Sequence, residues 1–103
     1  MKPVVFEAHA RVELGEAAGW YEEKRKGLGE RFFAAVEATT RRLPSRAKHR
    51  DLAGFKHIGV KTTAVMRPWP YRLFFLDDPA HFVVIAVAHD RREPGYWLDR
   101  LDR

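Results

Sequence analysis

The spacing of apolar residues changes once along the chain, near Val60, and this change constrains the fold most strongly. Before Val60, apolar residues recur at helical spacing in two stretches. The first stretch is Leu14, Ala17, Ala18 and Tyr21, and the second is Leu28, Phe32, Ala35, Val36 and Leu43, with Thr39 on the same face. Pro44 ends the second stretch because proline cannot continue a helix. The first predicted helix runs to about Lys24, and Lys26 and Gly27 join it to the second with little room between them, so we predict an antiparallel pair of helices.

After Val60 the apolar pattern takes the period of two that is typical of strands. Turn-forming residues divide this half of the chain into three predicted strands, at 60–66, 71–77 and 81–89. A further short apolar run, Val4–Phe6, is a candidate edge strand, and the tail 95–103 is a candidate short helix. The sequence therefore predicts an α+β fold of order β-α-α-β-β-β(-α), with a helical hairpin packed on one face of a small antiparallel sheet.

Length and composition set the class of protein. With 103 residues, 46% of them hydrophobic, we expect one domain over 1–103. The chain has no cysteine, which excludes disulfides and thiolate metal sites. No apolar run approaches the roughly 18 residues of a membrane span. We therefore expect a cytoplasmic chain with no membrane partner.

The positive charge is concentrated in one segment. The net charge is +5, and residues 41–72 hold nine basic side chains against the single acidic residue Asp51. Residues 44–57 within this segment are predicted to form an irregular loop. A concentrated basic segment indicates a polyanionic or acidic partner, and the alternative is a solvated basic loop.

Strand registers predict where the cations meet. If Met66 pairs with Tyr71 and Leu76 with His81, the sheet has an uncharged face for the helices and an open face that carries charge. The cations at one end of the open face are then Arg67, Arg72, His89 and Arg91. Lys61 also belongs to the open face, and Arg92 follows the cluster directly. The sequence thus predicts a basic patch at the end of the last strand.

The predicted patch has the groups for phosphate chemistry. Arginine binds phosphate, histidine exchanges protons near neutral pH, and Tyr96 could stack on a base. Such groups could support RNA cleavage without a metal. The alternative is that these arginines only pair with nearby acidic residues. His81 and His89 lie about 26 Å apart along an extended strand, so they cannot share a metal, and we expect neither metal nor cofactor.

Three segments together resemble the RelE/ParE superfamily of toxins from type II toxin–antitoxin systems, also known as plasmid stabilisation proteins. They are AAGWYEEKRKGLGERFFAAVE (17–37), RPWPYRLFFL (67–76) and FVVIAVAHDRREPGYW (82–97). Each motif is degenerate alone, and it is their order and spacing that carry the resemblance. The resemblance implies the fold predicted above, a small antitoxin wrapped on the chain, and one of two targets. These targets are mRNA on translating ribosomes in the RelE-like branch and DNA gyrase in the ParE-like branch.

For the nuclease branch the resemblance implies roles for only some residues. Arg72 matches the strand arginine that acts on the phosphate, Tyr96 matches a C-terminal aromatic residue, and His89 occurs in both branches. Thr63 and Val65 stand where the strand lysines of the RelE type are expected, so those lysines are absent. Asp90 occupies the position of a second basic residue, for which Arg91 could substitute.

Two classes of function follow. The chain is a toxin that cleaves mRNA through the candidate catalytic residues Arg72, His89 and Tyr96, or it is a non-catalytic module that binds gyrase or, less specifically, nucleic acid. In either case target contacts are expected from Lys61, Arg67, Arg91 and Arg92. The antitoxin is expected on an apolar strip of the open face, formed by Phe74, Val83 and Ile85. The alternative for this strip is that the C-terminal segment, through Trp97, Leu98 and Leu101, covers it.

Overall fold

The computed structural model describes residues 2–44, 50–52 and 54–101 and shows two helices packed on a sheet. The first half contains β1 (Val4–Phe6), α1 (Ala8–Lys24) and α2 (Leu28–Thr40). The second half contains β2 (Arg50–Asp51), β3 (Val60–Ala64), β4 (Tyr71–Asp77) and β5 (Phe82–His89). Short 3₁₀ helices occupy Lys56–Ile58 and Leu98–Leu101. The α+β fold predicted from the periodicity is confirmed.

The sheet differs from the prediction in its first and second strands. Its order is β1-β5-β4-β3-β2, and β1 runs parallel to β5, so the sheet is mixed rather than antiparallel. The two-residue β2 lies within 44–57, which was predicted to be irregular, and residues 45–49 and 53 lie outside the described part of the chain. Of the tail 95–103, for which a short helix was predicted, the described residues contain a 3₁₀ turn, Leu98–Leu101, and residues 102 and 103 lie outside the described part.

The helical hairpin is closed by side-chain and glycine contacts at its turn. Gly27 adopts a left-handed φ of 87°, which glycine tolerates without strain. The Glu22 carboxylate accepts hydrogen bonds from the backbone N–H groups of Gly27 (2.9 Å) and Gly29 (3.0 Å). It therefore satisfies donors that the start of α2 would otherwise leave free. Glu7 caps α1 in a similar way by accepting from the N–H of His9 (2.8 Å).

The sheet separates two apolar clusters. On the helix side, buried residues of α1 and α2 meet one face of the strands, among them Leu14, Phe32, Val36, Leu73 and Phe75. On the opposite side the buried residues are Val60, Phe74, Ile85, Ala86, Ala88 and Trp97. Phe55 and Leu101, among other partly buried residues, pack against this second cluster. The second face of the sheet is therefore covered by residues in and next to the two 3₁₀ helices, Trp97 above all, rather than open.

The observed register of β3 against β4 differs by one residue from the predicted one. Ala64 pairs with Arg72, and the backbone N–H of Val65 donates to the carbonyl of Tyr71. A one-residue slip exchanges the two faces of a strand. Val60, Thr62 and Ala64, which were predicted to face the helices, therefore share the opposite face with Arg72. The faces of β4 itself are as predicted, because Tyr71, Leu73 and Phe75 belong to the helix-side cluster.

The second predicted register is also wrong, because Leu76 pairs with Val83 rather than with His81, and β5 in addition contains a bulge. Phe75 pairs with Val84, but Phe74 pairs with Ala86, so one extra residue, Ile85, is inserted in β5. A bulge of this kind reverses the alternation of the residues that follow it. Ala86 and Ala88 consequently lie on the face away from the helices. Val87 and His89, which were predicted to lie there, turn to the helix side instead.

Two absences follow from the geometry of the described residues. No helix among residues 2–44, 50–52 and 54–101 has the length and apolar character needed to cross a bilayer. The same part of the chain holds no cluster of three or more histidine and carboxylate side chains suited to a metal ion.

Two glycines in the hairpin should respond in opposite ways to alanine. Gly19 is an exposed residue within α1, and an added Cβ would meet no atom within 4 Å. Gly19→Ala should therefore raise the free energy of unfolding by up to about 1 kcal/mol, because alanine loses less conformational freedom in a helix. In Gly29 the added Cβ would lie 2.5 Å from the carbonyl oxygen of Ala18, where α2 approaches α1. Gly29→Ala should lower the free energy of unfolding by about 1–3 kcal/mol.

Urea denaturation of the two variants and the wild type measures both effects on one scale. Equal stability of Gly29→Ala and Gly19→Ala would contradict the close approach of α1 and α2 at Gly29.

Candidate functional site

An acidic residue lies on the inner face of α1 and forms the centre of a polar cluster. Glu13 is adjacent to the buried Leu14 and one turn from the buried Ala10 and Ala17. Both of its carboxylate oxygens accept hydrogen bonds from the guanidinium of Arg100, at 3.0 and 2.9 Å. The two side chains expose 13% and 10% of their surfaces. Such a bidentate, nearly buried ion pair is among the stronger polar contacts in proteins.

The pair lies where β5 loses its strand neighbour. β1 pairs with β5 only as far as Val84, and the bulge follows at once. Beyond that point Glu13 accepts from the backbone N–H of Val87 (2.9 Å), and Arg100 donates to the carbonyl of Ile85 (2.8 Å). Buried backbone groups need such partners. The side-chain pair therefore takes the place of a strand at this edge.

Tyr96 completes the cluster. Its hydroxyl donates to Glu13 at 2.8 Å, and the guanidinium of Arg92 lies 3.5 Å from the centre of its ring. Burial, followed by the hydrogen bond to the Glu13 carboxylate, raises the pKa of Tyr96 well above its ordinary value. The hydroxyl is thus held in its protonated form as a donor. It is not arranged to act as a base near neutral pH.

The charges in the cluster are fixed by their contacts. Burial acts to raise the pKa of Glu13. The hydrogen bonds from Arg100, the Val87 N–H and Tyr96 outweigh this effect, and the pKa is lowered. The hydrogen bond to Glu13 raises the pKa of Arg100. Glu13 and Arg100 are therefore ionised throughout the neutral range. Neither residue was among the sequence-predicted site residues.

The three candidate catalytic residues do not converge on one face. Arg72 lies on the face away from the helices and donates to the hydroxyl of Thr62 at 3.0 Å. His89 lies on the helix side, where its ring meets the ring of Tyr71 at 5.2 Å between centroids. Tyr96 is bonded to Glu13 at the end of the sheet. The prediction of a shared patch is wrong because it relied on registers that the slip in β3 and the bulge in β5 change.

The residues predicted to contact a target lie in three separate places. Lys61 is half-buried in β3, opposite Phe75 of β4. Arg67 is exposed in the turn before β4. Arg91 and Arg92 are exposed in the turn after β5, so only they adjoin His89. The Nδ1 atom of His89 accepts from the backbone N–H of Arg91 at 3.1 Å, which joins these residues into one small basic turn.

The strip proposed for an antitoxin is largely covered. Phe74 and Ile85 are 3% and 1% exposed, and Val83 is partly buried in the same cluster. The ring of Trp97 lies 5.3 Å from the ring of Phe74 and is itself fully buried. The face is therefore not open, and of the predicted C-terminal cover Trp97 and Leu101 pack here, while Leu98 is 46% exposed. Direct contact with Phe74 or Ile85 would require displacement of that cover.

A cavity adjoins the basic turn on the helix side. It has a volume of about 580 Å³, and α1 forms one wall while the ends of β4 and β5 form the other. Trp20 and Glu16 from α1 line it together with Tyr71, His89 and Arg92. Half of the Trp20 surface is exposed, at 52%. The cavity, its exposed aromatic ring and the basic turn together form a surface suited to binding rather than to a proton relay.

The polar cluster could have been found from one detail of the sequence. Glu13 follows Ala10 by three residues and precedes Ala17 by four, so it belongs to the apolar stripe of α1. A charged residue in such a stripe needs a partner, which here is Arg100. No comparable pattern marks Arg100 itself, because the C-terminal segment is too short to show a period.

Replacing Glu13 tests the cluster. Glu13→Gln should lower the free energy of unfolding at neutral pH by about 1–3 kcal/mol, because the hydrogen bonds lose their charged acceptor. The lowered pKa of Glu13 means that its contribution is present above the ordinary glutamate range and is lost as the pH falls toward the folded-state pKa. The wild type should therefore lose stability below about pH 5, and Glu13→Gln should lose less over the same range.

Denaturant unfolding measured at several pH values gives both quantities. Glu16→Gln, an exposed substitution on the same helix, is the matched control and should change stability by less than about 0.5 kcal/mol. Identical pH profiles for the wild type and Glu13→Gln would contradict the assigned role.

Comparison with known proteins gives a similarity in structure and none in sequence. No protein-family model matches the sequence, and no curated protein matches it. The structure is similar to a chain in the solved structure "Chromosomal ParDE TA system from P. aeruginosa", with a TM-score of 0.68. The match covers 86% of this chain and 96% of that chain at 16% sequence identity. At this identity the similarity shows the fold alone, which is the α+β arrangement of two helices on a small sheet that the sequence predicts.

Proposed function

We propose that this chain is the toxin of a type II toxin–antitoxin pair and that it acts by binding DNA gyrase rather than by cleaving mRNA. The RelE/ParE-like fold and the three sequence motifs support the toxin class. The proposed mode of action rests on one observation. Arg72 and His89 lie on opposite faces of the sheet.

Further contacts weigh against cleavage. A phosphoryl-transfer site needs its acid, base and cations gathered around one phosphate. Here the Tyr96 hydroxyl is held by Glu13, and Arg72 is held by Thr62. Thr63 and Val65, at the positions of the nuclease lysines, are buried at 6% and 3% exposure. Because both positions are buried, a lysine introduced at either one would not present its charge to RNA unless the structure rearranged.

The surface best suited to a protein target is the basic turn with its neighbouring cavity. Arg91 extends from it without a carboxylate partner among the described residues, and Arg92 is braced on the Tyr96 ring. Trp20 offers a large exposed aromatic surface in the same region. Arginine and tryptophan are enriched among residues that dominate protein interfaces. We assign the gyrase contact to this surface.

A cognate antitoxin is the second partner in this proposal. The covered strip at Phe74 and Ile85 is available to it only if the C-terminal segment moves, and otherwise the antitoxin binds elsewhere on the chain. Hydrogen exchange of the Trp97 region with and without antitoxin distinguishes these two modes. The proposal that the chain is a toxin does not depend on which of these two binding modes the antitoxin uses.

Purified chain should inhibit the supercoiling activity of gyrase at roughly micromolar concentration. It should leave mRNA intact on translating ribosomes, because its candidate catalytic groups are apart. Supercoiling of relaxed plasmid and mapping of mRNA 5′ ends in induced cells check the two halves of this prediction. Unchanged supercoiling, combined with mRNA cleavage that disappears in His89→Ala, would replace the gyrase proposal with the nuclease one.

Two variants, one in the basic turn and one at Tyr96, distinguish inhibition by contact with gyrase from a catalytic mechanism. Arg91→Glu should weaken gyrase inhibition by at least about tenfold, because it places a like charge where a complementary one is proposed. Tyr96→Phe should remain inhibitory, since the ring still supports Arg92 and Glu13 keeps Arg100 and the Val87 N–H as donors. Arg41→Glu, an exposed arginine after α2, is the matched charge control. Equal loss of inhibition in Arg91→Glu and Arg41→Glu would indicate a general charge effect instead of a specific surface.

A further inference from the structure

The sheet ends at β1, and no further strand lies beyond it in the described part of the chain. The backbone N–H of Glu7 donates to the carbonyl of Val84 in β5 at 2.9 Å, so the backbone of Glu7 faces β5. Neighbouring residues of a strand direct their N–H and C=O groups to opposite edges. Val4 and Phe6 therefore direct these groups away from β5, toward the outer edge of the sheet.

The outer edge of β1 lacks the features that usually protect a strand edge. Proteins commonly protect such edges with charged side chains, bulges or covering segments. The three residues of β1 are all apolar, and Val5 is 40% exposed. Phe33 of α2 adds another large apolar side chain that is 45% exposed. An apolar edge of this kind favours pairing with another chain.

A cavity of about 570 Å³ extends the apolar surface from β1 onto the helices. Its lining comes from β1, from the first half of α1 and from α2, and it includes Leu14 and Val36 of the core. It shares no lining residue with the cavity beside His89. Edge and cavity form one surface, called the β1 face below. Its residues are Val4–Phe6, Arg11, Phe33 and Glu37.

Two charges of opposite sign lie on the β1 face. Arg11 of α1 and Glu37 of α2 are both exposed and both line the cavity. They do not form an ion pair with each other or with any other described residue. The Nη1 atom of Arg11 donates to the carbonyl of Phe6 at 2.9 Å, which holds the guanidinium beside the end of β1. Its remaining N–H groups are free to bind a carboxylate.

We propose that two copies of this chain associate through the β1 face, with their β1 strands paired antiparallel across a two-fold axis at Val5. Val4 of each copy then lies opposite Phe6 of the other, and backbone hydrogen bonds between them continue the sheet through both copies. Arg11 of each copy pairs with Glu37 of the other. The inference goes beyond the proposed function, because the β1 face does not include the basic turn.

The pattern of charge favours a second copy over an unrelated partner. A two-fold interface uses the same surface on both copies, so that surface must be complementary to itself. The β1 face carries one cation and one carboxylate around an apolar centre, and each charge needs the opposite one. A uniformly acidic or basic partner would place a like charge against Glu37 or Arg11. Because the contact area is small, we expect a weak and reversible dimer.

Sedimentation equilibrium of the intact chain tests the association. The wild type should be monomeric at about 1 µM and mainly dimeric at about 200 µM. Glu37→Arg should weaken dimerisation by at least about tenfold, because it places like charges together at both ends of the interface. Glu23→Arg makes the same charge change at an exposed position outside the β1 face and should alter dimerisation by less than about twofold.

Exchanging the two charges tests the pairing itself. The double variant Arg11→Glu/Glu37→Arg restores opposite charges across the axis, so it should dimerise within about threefold of the wild type. A purely structural role of Glu37 in its own chain would give no such recovery. If the double variant does not fold, Glu37→Arg and the strand variant described next decide the matter.

The strand edge is tested without changing Arg11 or Glu37. Val5 is exposed, so Val5→Lys should keep the wild-type denaturation curve and yet lose most dimerisation, because two lysines meet at the axis. In the wild type, the backbone N–H groups of Val4 and Phe6 should exchange more slowly as the dimer forms.

Four outcomes would overturn the proposal. The first is a wild type that stays monomeric at about 200 µM, and the second is a dimer that Val5→Lys leaves unchanged. The third is an equal loss of dimerisation in Glu37→Arg and Glu23→Arg, which would indicate an effect of net charge. The fourth is a folded double variant that dimerises no better than Glu37→Arg.

Discussion

The ion pair between Glu13 and Arg100 is the contact on which the rest of this structure depends. It joins α1 to the C-terminal segment, two elements far apart in sequence, across the edge of β5. The same two side chains satisfy the Val87 N–H and the Ile85 carbonyl, which have no strand partner there. A pair that only neutralised charge would add little, because desolvation offsets much of the attraction. This pair also satisfies buried backbone groups, so its loss would leave several polar groups without partners at once.

The cover over the second face of the sheet follows from this contact. Arg100 belongs to the 3₁₀ turn that follows Trp97, so fixing Arg100 also fixes the tryptophan against the sheet. Trp97 then packs on Phe74 and Phe55, and an apolar surface that would otherwise face water is buried. Burial of a side chain of this size stabilises the fold by a few kcal/mol, of the order of 25 cal/mol per Å². The polar cluster and the apolar cover are therefore mutually dependent.

The sequence predicted which elements form, but it did not predict how they meet. Helical and strand periods are local properties, so both helices and the three long strands were identified. Registers depend on pairing between strands, and the bulge at Ile85 leaves no mark in a run of apolar residues such as 82–88. The slip in β3 and this bulge moved Arg72 and His89 to opposite faces. A candidate site that is predicted from strand alternation is correct only if every strand register it assumes is correct.

The cations of this chain divide into two classes with different consequences for function. Arg100 forms an ion pair with Glu13, and Arg72 donates a hydrogen bond to Thr62, so both arginines stabilise the fold. Arg91 has no such partner among the described residues, and its neighbours His89 and Arg92 line a cavity beside α1. An exposed arginine contributes little to stability, but its planar guanidinium is preorganised to bind a carboxylate or phosphate of another molecule. A binding partner is therefore expected to contact exposed arginines that lack a partner among the described residues. One place with such an arginine is the turn after β5, beside the cavity that Trp20 and His89 line.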